Sequence, residues 1–146
     1  MNLQETLCIT RGITSVIGSG GKTTLLGCLA AELPGTVILT TTTHFLPFDG
    51  VPTETGEDEA ELRTLLERHR VVCVGRRAQA AAPKLTAGAM APAELARLAD
   101  YVLVEADGSR RLPLKAHAAW EPAIPAGSAQ SVLVLGASGF GRPVAE

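Results

Sequence analysis

Aromatic residues are nearly missing from this sequence: three Phe, one Tyr and one Trp make up 3% of it, although 46% of its residues are apolar. A core must therefore come from Val, Leu, Ile and Ala, a palette that suits strands and helices packed in layers. Long apolar runs are missing too. None approaches the roughly 18–20 residues that cross a bilayer, and the opening Met-Asn-Leu-Gln-Glu has no basic stretch ahead of an apolar one. Neither a membrane span nor a secretory leader is expected. Charge of one sign does not dominate, with 13 Lys and Arg against 15 Asp and Glu. That balance argues against a protein that coats nucleic acid or an anionic membrane, so any anion must be caught locally. The cysteines Cys8, Cys28 and Cys73 are odd in number and form no C-x-x-C pair, and Cys28 and Cys73 sit inside apolar runs. Buried free thiols in a reducing cytoplasm are expected. Zinc-ligand spacing and a G-x-S-x-G elbow are both lacking.

What is present is a succession of short apolar runs at 14–18, 36–41, 71–75, 101–106 and 131–136. They are continuous rather than alternating, which predicts parallel strands covered on both faces. A helix is predicted over 22–33, with Leu25, Leu26, Leu29 and Leu33 on one face and Pro34-Gly35 as its stop. A second carries Leu62, Leu65, Leu66 and His69 at helical spacing, acid-first and base-last in the order that complements a helix dipole. Residues 78–93 read as a loop and 92–98 as a short helix. Alternation of strand and helix predicts one α/β domain over residues 1–146, a doubly wound, mainly parallel sheet of about five strands of the P-loop nucleotide-binding kind. The chain stops ten residues after its fifth run without the closing helix usual for this architecture. A shortened form with a bare sheet edge, and pairing of two copies through it, are therefore open.

Between the first run and the first helix lies Gly18-Ser19-Gly20-Gly21-Lys22-Thr23-Thr24. Glycines let the backbone approach phosphate, a helix N-terminus stands behind them, Lys22 supplies a mobile cation and Thr23 offers a hydroxyl to Mg²⁺. ATP or GTP with Mg²⁺ is the expected ligand, bound by all seven of these residues. The loop is shorter than G-x-x-x-x-G-K-[ST], since the outer glycine position holds Val16, and the spacing resembles that of Mur-type amide ligases. A dinucleotide-binding alternative fails twice: Thr23 occupies its third glycine position, and the second run ends in four threonines rather than an acid.

A P-loop needs a carboxylate at the end of a second buried strand to hold Mg²⁺, and Glu105 and Asp107 follow four apolar residues in that way. Thr23, Glu105 and Asp107 are the candidate metal ligands, and Lys22 and Glu105 the candidate catalytic groups. Thr41 and Thr42, at the carboxyl end of the second strand, are placed to touch ligand. Downstream, Arg110, Arg111, Lys115 and His117 form a basic loop suited to phosphate or substrate, with Lys115 the expected ligand contact.

The blocks 18–24, 37–44 and 102–125 together resemble the YqeC family of selenium-dependent hydroxylase accessory proteins. The most telling stretch is Glu105-Ala106-Asp107-Gly108-Ser109 with Pro113-Leu114-Lys115 and Glu121-Pro122-Ala123-Ile124-Pro125; Lys84-Leu85-Thr86 also resembles the family's lysine-containing loop. The resemblance spans nearly the whole chain. It implies a nucleotide-dependent, Mg²⁺-assisted role in maturing selenium-dependent molybdenum hydroxylases, with such a hydroxylase or a cofactor-handling protein as partner. Two other functions stay open: a ligase or kinase that activates a small acid with ATP, and a non-catalytic module gated by nucleotide.

Overall fold

The computed structural model describes residues 2–78, 84–108 and 112–141. Its elements are α1 (Leu3–Thr6), β1 (Gly12–Ser19), α2 (Lys22–Glu32), β2 (Val37–Thr41), β3 (His44–Phe45), β4 (Thr53–Glu54), α3 (Glu59–Arg68), β5 (Val71–Val74), β6 (Arg76–Arg77), β7 (Leu85–Thr86), α4 (Pro92–Leu95), β8 (Tyr101–Glu105) and β9 (Ser128–Leu135). A six-stranded sheet in the order β4-β5-β2-β8-β1-β9 is parallel at every pairing. No helix among the described residues is long and apolar enough to cross a membrane.

Successive strand residues point to opposite faces, and the two cores divide accordingly. Val37, Leu39 and Leu103 join Leu26 and Leu29 of α2 on one side; Ile38, Val102 and Val104 meet Leu62 and Leu66 of α3 and Leu95 of α4 on the other. This is why β2 and β8 read as unbroken apolar runs. The start of α3 is capped by Asp58, whose Oδ1 accepts the N–H groups of Ala60 and Glu61.

Three features depart from the sequence-based expectation. The fifth apolar run is not covered on both faces: β9 is an edge strand in which Leu133 and Leu135 are 55% and 50% exposed. Leu85–Thr86, placed in a loop by composition, is the central strand of a small antiparallel sheet β3-β7-β6, anchored by buried Phe45 and Leu85. Cys28 is exposed, as is Cys8, and only Cys73 is buried. An apolar run along a helix is not an apolar face, and the buried side of α2 is built from Leu26, Leu29 and Ala30.

The strand starts are aligned by one clip. Asp100 Oδ2 accepts both the N–H and the hydroxyl of Thr36, and the Asp100 carbonyl accepts the Gly12 N–H. The Thr36 N–H holds the Asp100 carboxyl below its usual range, against a smaller upward push from burial. Gly35 precedes this clip at φ 90°, and a Cβ there would fall on Asp100 Oδ2. Gly35→Ala is expected to cost about 1–3 kcal/mol, read as a lower urea midpoint with an unchanged far-ultraviolet spectrum.

Candidate functional site

The phosphate-type loop forms because β1 ends one residue before two glycines in the left-handed region, Gly20 at φ 78° and Gly21 at φ 89°. Gly21 is the N-cap of α2 and offers no side chain to its first N–H groups. An uncapped helix start of this kind exposes donors to an anion. Beside it, the Ser19 hydroxyl is buried with no hydrogen-bond partner among the described residues.

Lys22, the first residue of α2, folds back into this loop. Its Nζ donates to the Gly18 carbonyl at 2.8 Å and lies 3.8 Å from Glu105 Oε1, with the side chain only 3% exposed. Thr23 Oγ1 donates to Glu105 Oε2 at 3.1 Å. These contacts follow from strand order, because β1 and β8 are neighbours with Val16 opposite Glu105. Burial pushes the Lys22 ammonium down and the Glu105 carboxyl up, while each group's charge opposes the other's shift.

Asp107 belongs to the same site but answers to other groups. Its Oδ2 accepts the Gly18 N–H at 2.9 Å and lies 2.7 Å from His117 Nε2, and Lys115 Nζ stands 2.9 Å from Oδ1. Burial raises the Asp107 carboxyl, but the Lys115, His117 and Gly18 donors outweigh it and hold the group low. Lys115 also donates to Glu121 Oε2 at 2.7 Å and to the Gly108 carbonyl at 2.7 Å. Partial burial would lower it, yet bonds to Glu121 and Asp107 leave it raised. Glu121 is held low by Lys115 and the Ala118 N–H.

The site therefore brings together Gly18, Ser19, Gly20, Gly21, Lys22, Thr23, Glu105, Asp107 and Lys115. Thr24, in the first turn of α2, is exposed. Thr41 and Thr42 reach the same sheet edge, but their hydroxyls donate to the carbonyls of Glu105 and Ala123 at 2.8 and 2.7 Å. They brace the edge. Arg110 and Arg111 lie outside the described residues. Sequence reasoning gave no role to Glu121, the second partner of Lys115, or to Gly136, whose N–H donates to Pro113 O at 2.8 Å. The signals for Glu121 were its acidic type near Lys115 and its place in the Glu121-Pro122-Ala123-Ile124-Pro125 stretch.

The donor set suits a hard cation held together with phosphate: the Thr23 hydroxyl and the Glu105 carboxylate are oxygen ligands of the kind Mg²⁺ takes. Among the described residues no three His, Cys, Asp or Glu side chains cluster as a metal site of their own.

The family model described as YqeC protein matches residues 14–146. The chain belongs to the YqeC family. It is 36% identical over 139 residues to a protein of Escherichia coli (strain K12) described as "Uncharacterized protein YqeC", a match that covers 90% of this chain and 54% of that protein. The chain thus spans about half the length of the curated relative it matches. No solved structure matches it. The YqeC match spans the loop after β1, the carboxylates Glu105 and Asp107 at and just beyond the end of β8, and the Lys115 segment.

Proposed function

We propose that this YqeC protein binds a nucleoside triphosphate with Mg²⁺ and hydrolyses it as an accessory factor in the maturation of selenium-dependent molybdenum hydroxylases. The observation that carries this is the convergence of Lys22, Thr23 and Glu105 at the uncapped start of α2. There the ammonium is buried and, among the described residues, hydrogen-bonded only to a carbonyl while it faces a carboxylate.

In this reading the outer phosphates lie against the backbone of Ser19, Gly20, Gly21 and Lys22, and Lys22 exchanges the Gly18 carbonyl for phosphate oxygen. Thr23 and Glu105 would hold Mg²⁺, which would supply charge neutralisation at the transferring phosphoryl group. Asp107, tied to the Gly18 N–H, sets the loop beneath them. Glu105, whose carboxyl is pushed up by burial, orients the attacking water.

Calorimetric titration with ATP, GTP and CTP, with and without Mg²⁺, tests this directly. Lys22→Ala is expected to lose about 100-fold in affinity, the worth of a charge-assisted bond to phosphate, with its circular dichroism intact. Wild-type affinity in that variant would remove the assignment.

A further inference from the structure

Beside the phosphate loop lies a cavity of about 260 Å³, whose lining includes Gly108, Leu112, Lys115, Ala118, Trp120 and Glu121. It falls just short of the roughly 300–1,000 Å³ that drug-sized ligands occupy, so it suits one ring system rather than a whole nucleotide. Trp120 is the chain's single tryptophan and is 81% exposed. Leu112, another wall of the cavity, is 48% exposed. An indole and a leucine left open to water around a concavity form a surface on which a flat ring can stack.

One polar feature marks this wall. Glu121 keeps its carboxyl low through the Lys115 ammonium and the Ala118 N–H, and so presents an ionised acceptor beside the indole. A charged acceptor next to an aromatic face recognises a planar nitrogen heterocycle that bears N–H groups on one edge. The cavity is also coupled to the phosphate loop by the chain itself. Leu112 lines it, while the next residue, Pro113, accepts the Gly136 N–H and places its Cα 3.7 Å from where a Cβ on Gly20 would stand. Lys115, in the same wall, reaches Asp107 and through it the Gly18 N–H.

We propose that this cavity takes a planar nitrogen heterocycle stacked on Trp120 with its N–H edge toward Glu121, namely the base of the nucleotide whose phosphates sit at Lys22. The placement of phosphates rests on the function proposed above; the stacking site rests on Trp120, Leu112 and Glu121. A separate heterocyclic substrate would use the same chemistry, and competition tells the two sources apart.

Because Trp120 is the only indole, fluorescence excited at the red edge, where Tyr101 does not absorb, reports this cavity alone. Wild-type protein is titrated with adenosine, guanosine and cytidine, which carry no phosphate, and then with the matching triphosphates. One nucleoside is expected to quench Trp120, and Lys22→Ala is expected to keep that quenching while losing triphosphate affinity. Trp120→Ala, at a surface position where folding is not at stake, should weaken calorimetric binding of that ligand by about 5- to 150-fold, with partial recovery in Trp120→Phe. Nucleoside that adds no further quenching once triphosphate has quenched Trp120 to saturation identifies the base of the same nucleotide; further quenching on top of saturating triphosphate identifies a second substrate. Triphosphate that binds calorimetrically with no fluorescence change and with full affinity in Trp120→Ala overturns the stacking site and leaves the phosphate site standing. Nucleoside quenching with no triphosphate binding does the reverse. No response to any nucleoside or triphosphate overturns both.

Discussion

Gly18→Ala is expected to destabilise the fold by more than about 3 kcal/mol, combining a left-handed backbone with an overpacked contact. Gly18 holds φ 93°, and a Cβ there would fall on the Val134 carbonyl oxygen and lie 2.9 Å from Leu133 Cδ1. The obstacle is backbone, and it cannot give way cheaply, because Gly18 and Val134 are ladder partners in the β1–β9 pairing. A shift would also pull the Gly18 N–H from Asp107 and its carbonyl from Lys22. Gly21→Ala is the control. Its φ is 89° as well, but the nearest atom to a Cβ, Val134 Cγ1, is 3.9 Å away. That variant should lose only about 1 kcal/mol, the cost of the left-handed conformation itself. Equal urea midpoints for the two variants would show that the contact with Val134 contributes nothing.

Asp107→Ala should cost about 3–5 kcal/mol at neutral pH, the usual penalty for removing one partner from a buried ion pair. The Asp107 side chain is fully buried and Lys115 is 10% exposed, so little water is available to replace the lost carboxylate. The pH dependence gives a sharper test through Asp107→Asn. A carboxyl whose folded pKa is lowered contributes stability above its unfolded pKa, about 3.9 for Asp, and loses it as pH falls through the folded value. Asp107 and Glu121 both shift that way. Lys115 is raised, so its contribution is full below its ordinary pKa and disappears only as pH climbs through the higher folded one. The contribution of this Asp107–Lys115–Glu121 cluster should therefore hold a plateau from mildly acidic to mildly alkaline pH and fall away in acid. In urea titrations the gap between wild type and Asp107→Asn should close as pH drops below about 4. A gap that stays constant would mean that Asp107 ionisation is not what Lys115 and His117 stabilise.

The parallel sheet was legible because strands buried on both faces are mostly apolar, as Val37–Leu39 of β2, all of β5 and Tyr101–Val104 of β8 are, whereas β1 carries buried Thr14 and Ser15 among its apolar residues. The same rule misjudged β9, since an unbroken run of Val and Leu does not reveal that one face has no covering layer. The two-residue strands β3, β6 and β7 are too short for any period to register. Within the site, Lys22, Thr23 and Glu105 were legible from residue type and spacing, and the pairing of β1 with β8 brings them together. What Gly18 must avoid was not legible, because Val134 is far off in sequence. Thr41 and Thr42 were read by position as ligand contacts; in the structure β2–β8 register sets the Glu105 carbonyl against the Thr41 hydroxyl, and the segment after β8 brings the Ala123 carbonyl to that of Thr42.

The strand order also has a consequence for how the chain assembles. The strand that leads into the glycine loop, β1, precedes every other strand among the described residues, yet both its neighbours, β8 and β9, come after all the others described, with Gly12 opposite Tyr101 and Ser19 opposite Leu135. On a ribosome, β1 waits for these sheet partners until residues 101–135 have emerged. Pairings so distant in sequence close slowly, since the entropy of a long loop is lost before any contact repays it. The glycine loop at the start of α2 is thus encoded ahead of its partners and completed late, and Gly18 takes up its final contact only when Val134 arrives beside it.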